Sequence, residues 1–302
     1  MDEGMDFHEA CSRKFFGSHN PPVLEYTLDQ MAELAREVVE RSVSVPGVQA
    51  KLSMSLIRET RATTGARLTV VGALGGEYIF KPPVHSYPEM PQNEHATMRV
   101  AEAFGLKTAP SSLIRLASGE LSYITRRIDR TPAGKKIHMI DMFQATDAYD
   151  KYLGSYEKTG KAIGLYSENP LLDKLLFFEL VLFSFLTGNN DMHLKNFSMI
   201  LGPSGWVLSP AYDLLNVSIL LPEDQEELAL TLSGKKKKLT RNHFNAFAEG
   251  MKLTGRQIKR AFERFYQGRN EALQILTGSF LSESMKTAYL EVVETRYSRL
   301  YN

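Results

Sequence analysis

Residues Leu171 to Leu186 (LLDKLLFFELVLFSFL) form an almost continuously apolar run, with Asp173, Lys174 and Glu179 as its charged interruptions. Such a run predicts a helix buried around most of its circumference, so the rest of the chain must supply packing partners on nearly every side. It is shorter than the roughly 20 apolar residues that span a bilayer, and no membrane segment is expected. Gly188 can end the helix. The polar stretch Asn189-Asn190-Asp191-Met192-His193-Leu194-Lys195-Asn196 then reads as a loop. Phe197–Leu201 reads as a short strand, Gly202–Gly205 as a turn and Trp206–Leu208 as a returning strand. Asp213 lies just beyond this hairpin.

The loop and the later acid carry the chemistry. Asp191-x-x-x-x-Asn196 followed by Asp213 is the arrangement that kinase-type phosphoryl transfer uses. The first Asp accepts or orients the attacking hydroxyl, the Asn holds a metal ion, and the later Asp holds metal against phosphates. Taken singly, Asp, Asn and His are also turn and cap residues. Asp191-x-His193 is weak as a zinc site, and His193 is read as a positioning group. Lys195 is placed to neutralise a transferring phosphoryl group or the catalytic acid.

The remaining pattern is α+β. Leu28 to Val39 has helical apolar spacing, and Lys51–Ile57, Arg67–Val71 and Glu77–Lys81 read as strands, the last stopped by Pro82-Pro83. Asn93 to Phe104 is a helix with Gly105 as its stop, and Ser112–Leu116 and Leu121–Arg127 are a strand pair. From about Asp141 helical patterning dominates, including Arg256 to Gln274 and Glu283 to Leu300. The expectation is a strand-rich unit over residues 1–128 and a helical one over 129–302, two lobes around a cleft. The 302 residues suffice for this. A net charge of +1 gives no global electrostatic case for nucleic-acid binding. Cys11 is the sole cysteine, which excludes an intramolecular disulfide, and the N-terminus has no hydrophobic signal region; the cytoplasm is the expected location. Lys235 to Lys238 is the densest charge run, read as a solvated turn with a weak anion or nucleic-acid contact as the alternative.

On the nucleotide side, Ser44-Val45-Pro46-Gly47-Val48-Gln49-Ala50-Lys51 is a small-residue loop leading into a strand. Its backbone N–H groups could approach phosphate oxygens, although it is no Walker A or G-x-G-x-x-G loop and a plain turn is the competing reading. Lys81, at the end of an apolar strand and followed by a helix bearing Glu94, repeats the strand-lysine and helix-glutamate pair of kinases. A surface lysine is the alternative.

At these residues the sequence resembles the HipA family of bacterial serine/threonine kinases, the toxins of toxin–antitoxin operons. The matching pieces are the serine loop, Phe80-Lys81-Pro82, Asn93-Glu94-His95, Arg126–Arg130, Asp141-Met142-Phe143-Gln144, Asn190–Ser198 and Pro210-Ala211-Tyr212-Asp213-Leu214, in the family's order. The resemblance implies a two-lobed, protein-kinase-like α+β fold with ATP and Mg²⁺ as cofactors. By motif, Asp191 is the catalytic acid, Asn196 and Asp213 are Mg²⁺ ligands, and Lys81 holds the α/β-phosphates. Pro46, Gly47, Val48, Gln49, Ala50 and Lys51 cover the nucleotide. Arg126, Arg127 and Ile128 lie at the adenine-side hinge, and His193 and Tyr212 border the nucleotide–metal site.

The resemblance also implies self-inactivation. A serine just before the Pro-Gly step is autophosphorylated in the family, and the loop then leaves the ATP site. Ser44 occupies that place and Ser42 offers a second acceptor; a phosphate there adds about −1.5 to −2 charges beside the ATP phosphates. Only 41 residues precede Ser42, so the chain looks like the short, HipT-like branch, whose missing subdomain is a separate small protein. The implied partners are that protein and a helix-turn-helix DNA-binding antitoxin, and the implied substrate is an aminoacyl-tRNA synthetase. A small-molecule phosphotransferase and a catalytically idle repressor partner are the competing functions.

Overall fold

The computed structural model describes residues 7–41, 51–58, 66–71 and 75–302. The serine-loop residues Ser42, Ser44, Pro46, Gly47, Val48, Gln49 and Ala50 lie outside the described residues, as does Gly72.

The elements in order are α1 (Glu9–Phe16), α2 (Leu28–Arg41), β1 (Leu52–Arg58), β2 (Ala66–Val70), β3 (Tyr78–Lys81), α3 (Met90–Ala103), β4 (Ser111–Arg115) and β5 (Leu121–Arg126). These are followed by β6 (Met139–Asp141), α4 (Met142–Ala145), α5 (Tyr156–Tyr166), α6 (Pro170–Leu186), β7 (Ser198–Gly202) and β8 (Gly205–Leu208). The chain closes with α7 (Arg241–Gly250), α8 (Gly255–Gln267), α9 (Arg269–Thr277) and α10 (Glu283–Tyr301). The expected single helix over Arg256 to Gln274 is two helices, divided at Gly268.

The chain forms two compact units, one of Met1–His95 with Ala109–Lys135 and the other of Ala96–Thr108 with Lys136–Asn302. The division therefore falls inside α3 and again at two later places, where the sequence suggests one boundary after residue 128.

The first unit holds a five-stranded sheet of order β2-β1-β3-β5-β4, antiparallel at every pairing. Alternation along its strands sends Leu52, Met54, Tyr78, Phe80 and Ile124 to one buried face. Phe15 and Phe16 of α1 and Met31 and Ala35 of α2 complete that core.

The second unit is built around α6, whose residues from Phe177 to Leu186 are all buried. The helix packs on α5, α7, α8, α10 and β8. Phe177 meets Phe197 edge-on at 5.0 Å, and Phe185 meets Phe244 at 5.1 Å. Two of the charges that interrupt the apolar run have partners. The Asp173 carboxylate accepts from Ser167 Oγ at 2.6 Å and from the Leu208 N–H at 2.8 Å, tying α6 to β8. Glu179 pairs with Arg264 of α8 at 2.7 Å. A second sheet, β6-β7-β8, carries the hairpin expected from the sequence. Asp141 ends β6 and caps α4: its carboxylate accepts from the Gln144 N–H while the Gln144 side chain accepts from the Asp141 N–H, a capping box. No helix among the described residues is long and apolar enough to cross a membrane.

Candidate active site

Within the second unit, Gly188 ends α6 with φ of 70°, a conformation that suits glycine. Its carbonyl accepts from the N–H groups of Val217 and Ser218, both at 3.1 Å, which fixes where the polar loop begins. The loop is then stitched down residue by residue. Asn189 is fully buried and its Oδ1 accepts from the Asp191 N–H at 3.3 Å. Asn190 donates to Asp224 at 2.9 Å and to the Glu226 carbonyl at 3.1 Å. Met192 is fully buried, and its carbonyl accepts from the Tyr156 hydroxyl at 3.0 Å. Residues Leu194–Asn196 close the loop as a single 3-10 turn.

This scaffold holds Asp191, His193 and Asn196 close to one another. The Asn196 side-chain amide donates to the Asp191 carbonyl at 2.9 Å through its nitrogen, a bond that does not use its own carbonyl oxygen. The Asp191 side chain is 41% exposed, whereas His193 is buried with Nε2 at 4.0 Å from Asp191 Oδ1. Burial holds the His193 imidazole below its usual pKa; the Asp191 charge opposes this, Lys151 adds to it and Asp213 opposes it again. Asp213 arrives through its neighbour: the Tyr212 hydroxyl donates to the Lys195 carbonyl at 2.9 Å and pairs with Ser198 Oγ at 2.6 Å. Those bonds seat Asp213 beside the loop with a φ of 59°. Tyr212 is mostly buried, and burial raises its hydroxyl pKa further above the usual tyrosine value. Lys195 is exposed and its ammonium stands 4.8 Å over the Phe143 ring, with its charge acting on Asp141.

One contact has no counterpart in the sequence reading. The Tyr152 hydroxyl donates to Asp191 Oδ1 at 2.7 Å. Its ring lies edge-on to His193 at 5.0 Å and under the Lys151 ammonium at 4.8 Å. The only hint in sequence is the cluster Tyr149-Asp150-Lys151-Tyr152, polar and aromatic together, ahead of a helix.

Within the first unit, Lys81 ends β3 and points inward. Its Nζ lies 2.6 and 2.8 Å from the two carboxylate oxygens of Glu94 in α3 and 5.4 Å from the centre of the Tyr123 ring. Both members of the pair are buried, which removes the surface-lysine reading. Arg126 stacks 5.9 Å from the Phe15 ring. Arg127 makes a forked contact with Asp129 at 2.9 and 2.8 Å, and Arg130 also pairs with Asp129. Burial pushes the Asp129 carboxyl up, but these two guanidinium groups outweigh it and hold its pKa below the usual value. Ile128 lies between them, partly buried, and Lys51 is exposed just ahead of β1.

The donor set fits a hard cation. Among the described residues no three His, Cys, Asp or Glu side chains gather as a metal cage. Mg²⁺ needs no such cage, because one or two protein oxygens with water and phosphate complete its shell. The Asn196 carbonyl and the Asp213 carboxylate are oxygens of that kind.

The family model for the HipA-like C-terminal domain matches residues 43–273. Over 211 residues the chain is 35% identical to "Putative kinase Y4dM" of Sinorhizobium fredii, covering 64% of this chain and 49% of that protein. It is 28% identical over 211 residues to the serine/threonine-protein kinase toxin HipA of Shewanella oneidensis, covering 63% and 46%. The chain thus spans about half the length of the curated relatives it matches. Among solved structures, HipA of Shewanella oneidensis in complex with HipB and operator DNA matches with a TM-score of 0.69 at 23% identity, over 89% of this chain and 70% of that one. The proinflammatory kinase CtkA of Helicobacter pylori matches with a TM-score of 0.55 at 15% identity, over 82% and 92%. At such identities the likeness is one of fold: a kinase-like α+β architecture.

Proposed function

The chain belongs to the HipA-like C-terminal domain family, and from that premise we propose that it is an ATP- and Mg²⁺-dependent serine/threonine protein kinase. The buried Lys81–Glu94 pair is the observation that carries this reading. Burying a lysine is costly unless it is paired, and a strand lysine paired with a helix glutamate is the kind of fixed cation that a kinase uses for the α/β-phosphates.

The acceptor hydroxyl oxygen attacks the γ-phosphorus of ATP. The bond from that phosphorus to the β,γ-bridging oxygen breaks, ADP leaves with the electron pair, and Asp191 receives the hydroxyl proton. Asn196 and Asp213 would hold Mg²⁺, which would neutralise phosphate charge there. His193 keeps a neutral imidazole beside Asp191, and Tyr212 fixes the segment that bears Asp213.

The protein acts as a toxin kinase on a translation enzyme of the aminoacyl-tRNA synthetase class, in the cytoplasm. Its control is phosphorylation of Ser44 or Ser42, which places negative charge beside the nucleotide phosphates. The Shewanella HipA solved with HipB and operator DNA supports a DNA-binding antitoxin as partner. A separate small subdomain-like protein is the second partner we propose.

Phosphopeptide mass spectrometry of cells expressing the chain, set against Asp191→Asn, tests the proposal. A phosphorylated synthetase and a phosphorylated Ser42 or Ser44, both absent from the control, are expected. Identical phosphopeptide maps in the two strains would remove it.

A further inference from the structure

The acceptor side of the site is filled by a residue of this chain. The Tyr152 hydroxyl donates to Asp191 Oδ1 at 2.7 Å, the relation a substrate hydroxyl must adopt before it gives up its proton. The direction of approach is informative. The loop's own ties to Asp191 come through the main chain, from Asn196 Nδ2 at 2.9 Å and the His193 N–H at 2.8 Å, both on the Asp191 carbonyl. Tyr152 instead reaches the carboxylate itself, from a stretch facing solvent: Tyr149 is 98% exposed, Tyr152 40% and Leu153 68%. A protein acceptor can reach Asp191 from that exposed side.

The backbone beside Tyr152 is anchored while its side chain is not enclosed. The Tyr152 N–H donates to Asp150 at 2.7 Å, the Lys151 carbonyl accepts from the Leu194 N–H at 3.1 Å, and the Gly154 carbonyl accepts from the Thr231 hydroxyl at 3.1 Å. The phenol can therefore leave by rotating about its own side-chain bonds, a motion of exposed residues that needs no loop opening.

We propose that Tyr152 is an acceptor-site residue whose hydroxyl occupies the substrate hydroxyl's seat on Asp191, so that only a hydroxyl able to displace it gains access to the phosphoryl group. This rests on the kinase reading above. Tyr152 excludes water from the seat and thereby suppresses wasteful transfer to water, in which the water oxygen takes the γ-phosphoryl group and ADP departs. Burial and the Asp191 carboxylate raise the phenol pKa above its usual value, so it stays a donor at working pH.

The test is steady-state ADP release from Mg·ATP with water as the only acceptor, in a Ser42→Ala/Ser44→Ala background carrying no further change, Tyr152→Phe, Tyr152→Leu or Asp191→Asn. Removing the hydroxyl opens the seat, and Tyr152→Phe is expected to raise turnover about tenfold, the lower range for losing a hydrogen bond to a charged group, with the KM for ATP unchanged. Tyr152→Leu should do the same, and melting midpoints confirm that both variants fold. A residue that only steadied Asp191 would lower turnover when removed. Decreased or unchanged turnover in Tyr152→Phe, with the background active above Asp191→Asn, overturns the proposal and leaves the kinase reading standing. The background and both Tyr152 variants as inactive as Asp191→Asn would overturn this proposal, while the kinase reading stands or falls separately on the phosphopeptide comparison.

Discussion

The Asn196 amide nitrogen lies 2.9 Å from the main-chain carbonyl of Asp191, so the residue assigned to metal and the residue assigned to the acceptor proton share one hydrogen-bonded turn. The spacing of four residues between them is what lets the side chain of one reach the backbone of the other. The same bond engages the amide nitrogen, and the oxygen is the atom that the proposed function gives to the cation.

Asn196→Asp is the informative substitution. It keeps oxygen ligands but has no N–H to give the Asp191 carbonyl. Loss of such an orienting partner costs about 10- to 100-fold in metal affinity or activity. Mg²⁺ titration of ADP release should show a shifted midpoint and reduced plateau in Asn196→Asp, and a larger loss in Asn196→Ala. A titration curve for Asn196→Asp that overlays the wild type would make the tie dispensable.

Lys81 and Glu94 should respond asymmetrically to mutation. Removing one partner of a buried pair leaves an uncompensated charge and costs about 3–5 kcal/mol, whereas replacing both by apolar residues is often close to neutral. Urea unfolding should therefore rank Glu94→Leu well below the double variant Lys81→Met/Glu94→Leu. Both should bind ATP poorly. A double variant less stable than the single would mean that the pair contributes to stability in its own right.

How much of this was legible in sequence follows from what each feature depends on. The buried helix α6 announces itself because apolar residues on every side need no knowledge of their partners, and the observed Pro170–Leu186 nearly repeats the predicted span. The break between α8 and α9 does not announce itself. A Cβ at Gly268 would fall 2.7 Å from Phe104 Cε1, so the need for glycine at the break answers to a residue far away in the chain. Asp191, Asn196 and Asp213 were visible as a spaced set. Tyr152 was not, because its contact spans 39 positions and obeys no motif. The left-handed backbone of Asp213 was equally hidden, being imposed by tertiary contacts on a residue type that tolerates it.

Gly188 is where the fold and the site meet. An added Cβ would lie 2.7 Å from Asn216 Oδ1 and 2.8 Å from Val292 Cγ1, and its φ of 70° disfavours any other residue. Gly188→Ala should cost about 2 kcal/mol or more, combining the left-handed penalty with overpacking. Thermal or urea unfolding measures this directly. Activity should fall as well, since the Gly188 carbonyl anchors Val217 and Ser218. Wild-type stability in Gly188→Ala would show that the surrounding side chains yield freely.

His193 gives the site a pH signature. Burial is the main cause of its lowered pKa, resisted by Asp191, reinforced by Lys151 and resisted again by Asp213. An unfolded chain binds a proton on this histidine below about pH 6.5, while the folded chain does so only at lower pH. Between those two values the unfolded state holds more protons, so stability rises with pH across that window. The contribution is complete above about pH 6.5 and is lost as pH falls towards the folded-state pKa. His193→Gln has no such titration. The unfolding free energy of the wild type minus that of His193→Gln, measured in steps from neutral to mildly acidic pH, should therefore decline below about pH 6.5. A difference that stays level would mean that burial does not lower the His193 pKa, and one that grows on acidification would mean that the charged form is favoured beside Asp191; the second outcome would end the assignment of a neutral imidazole there.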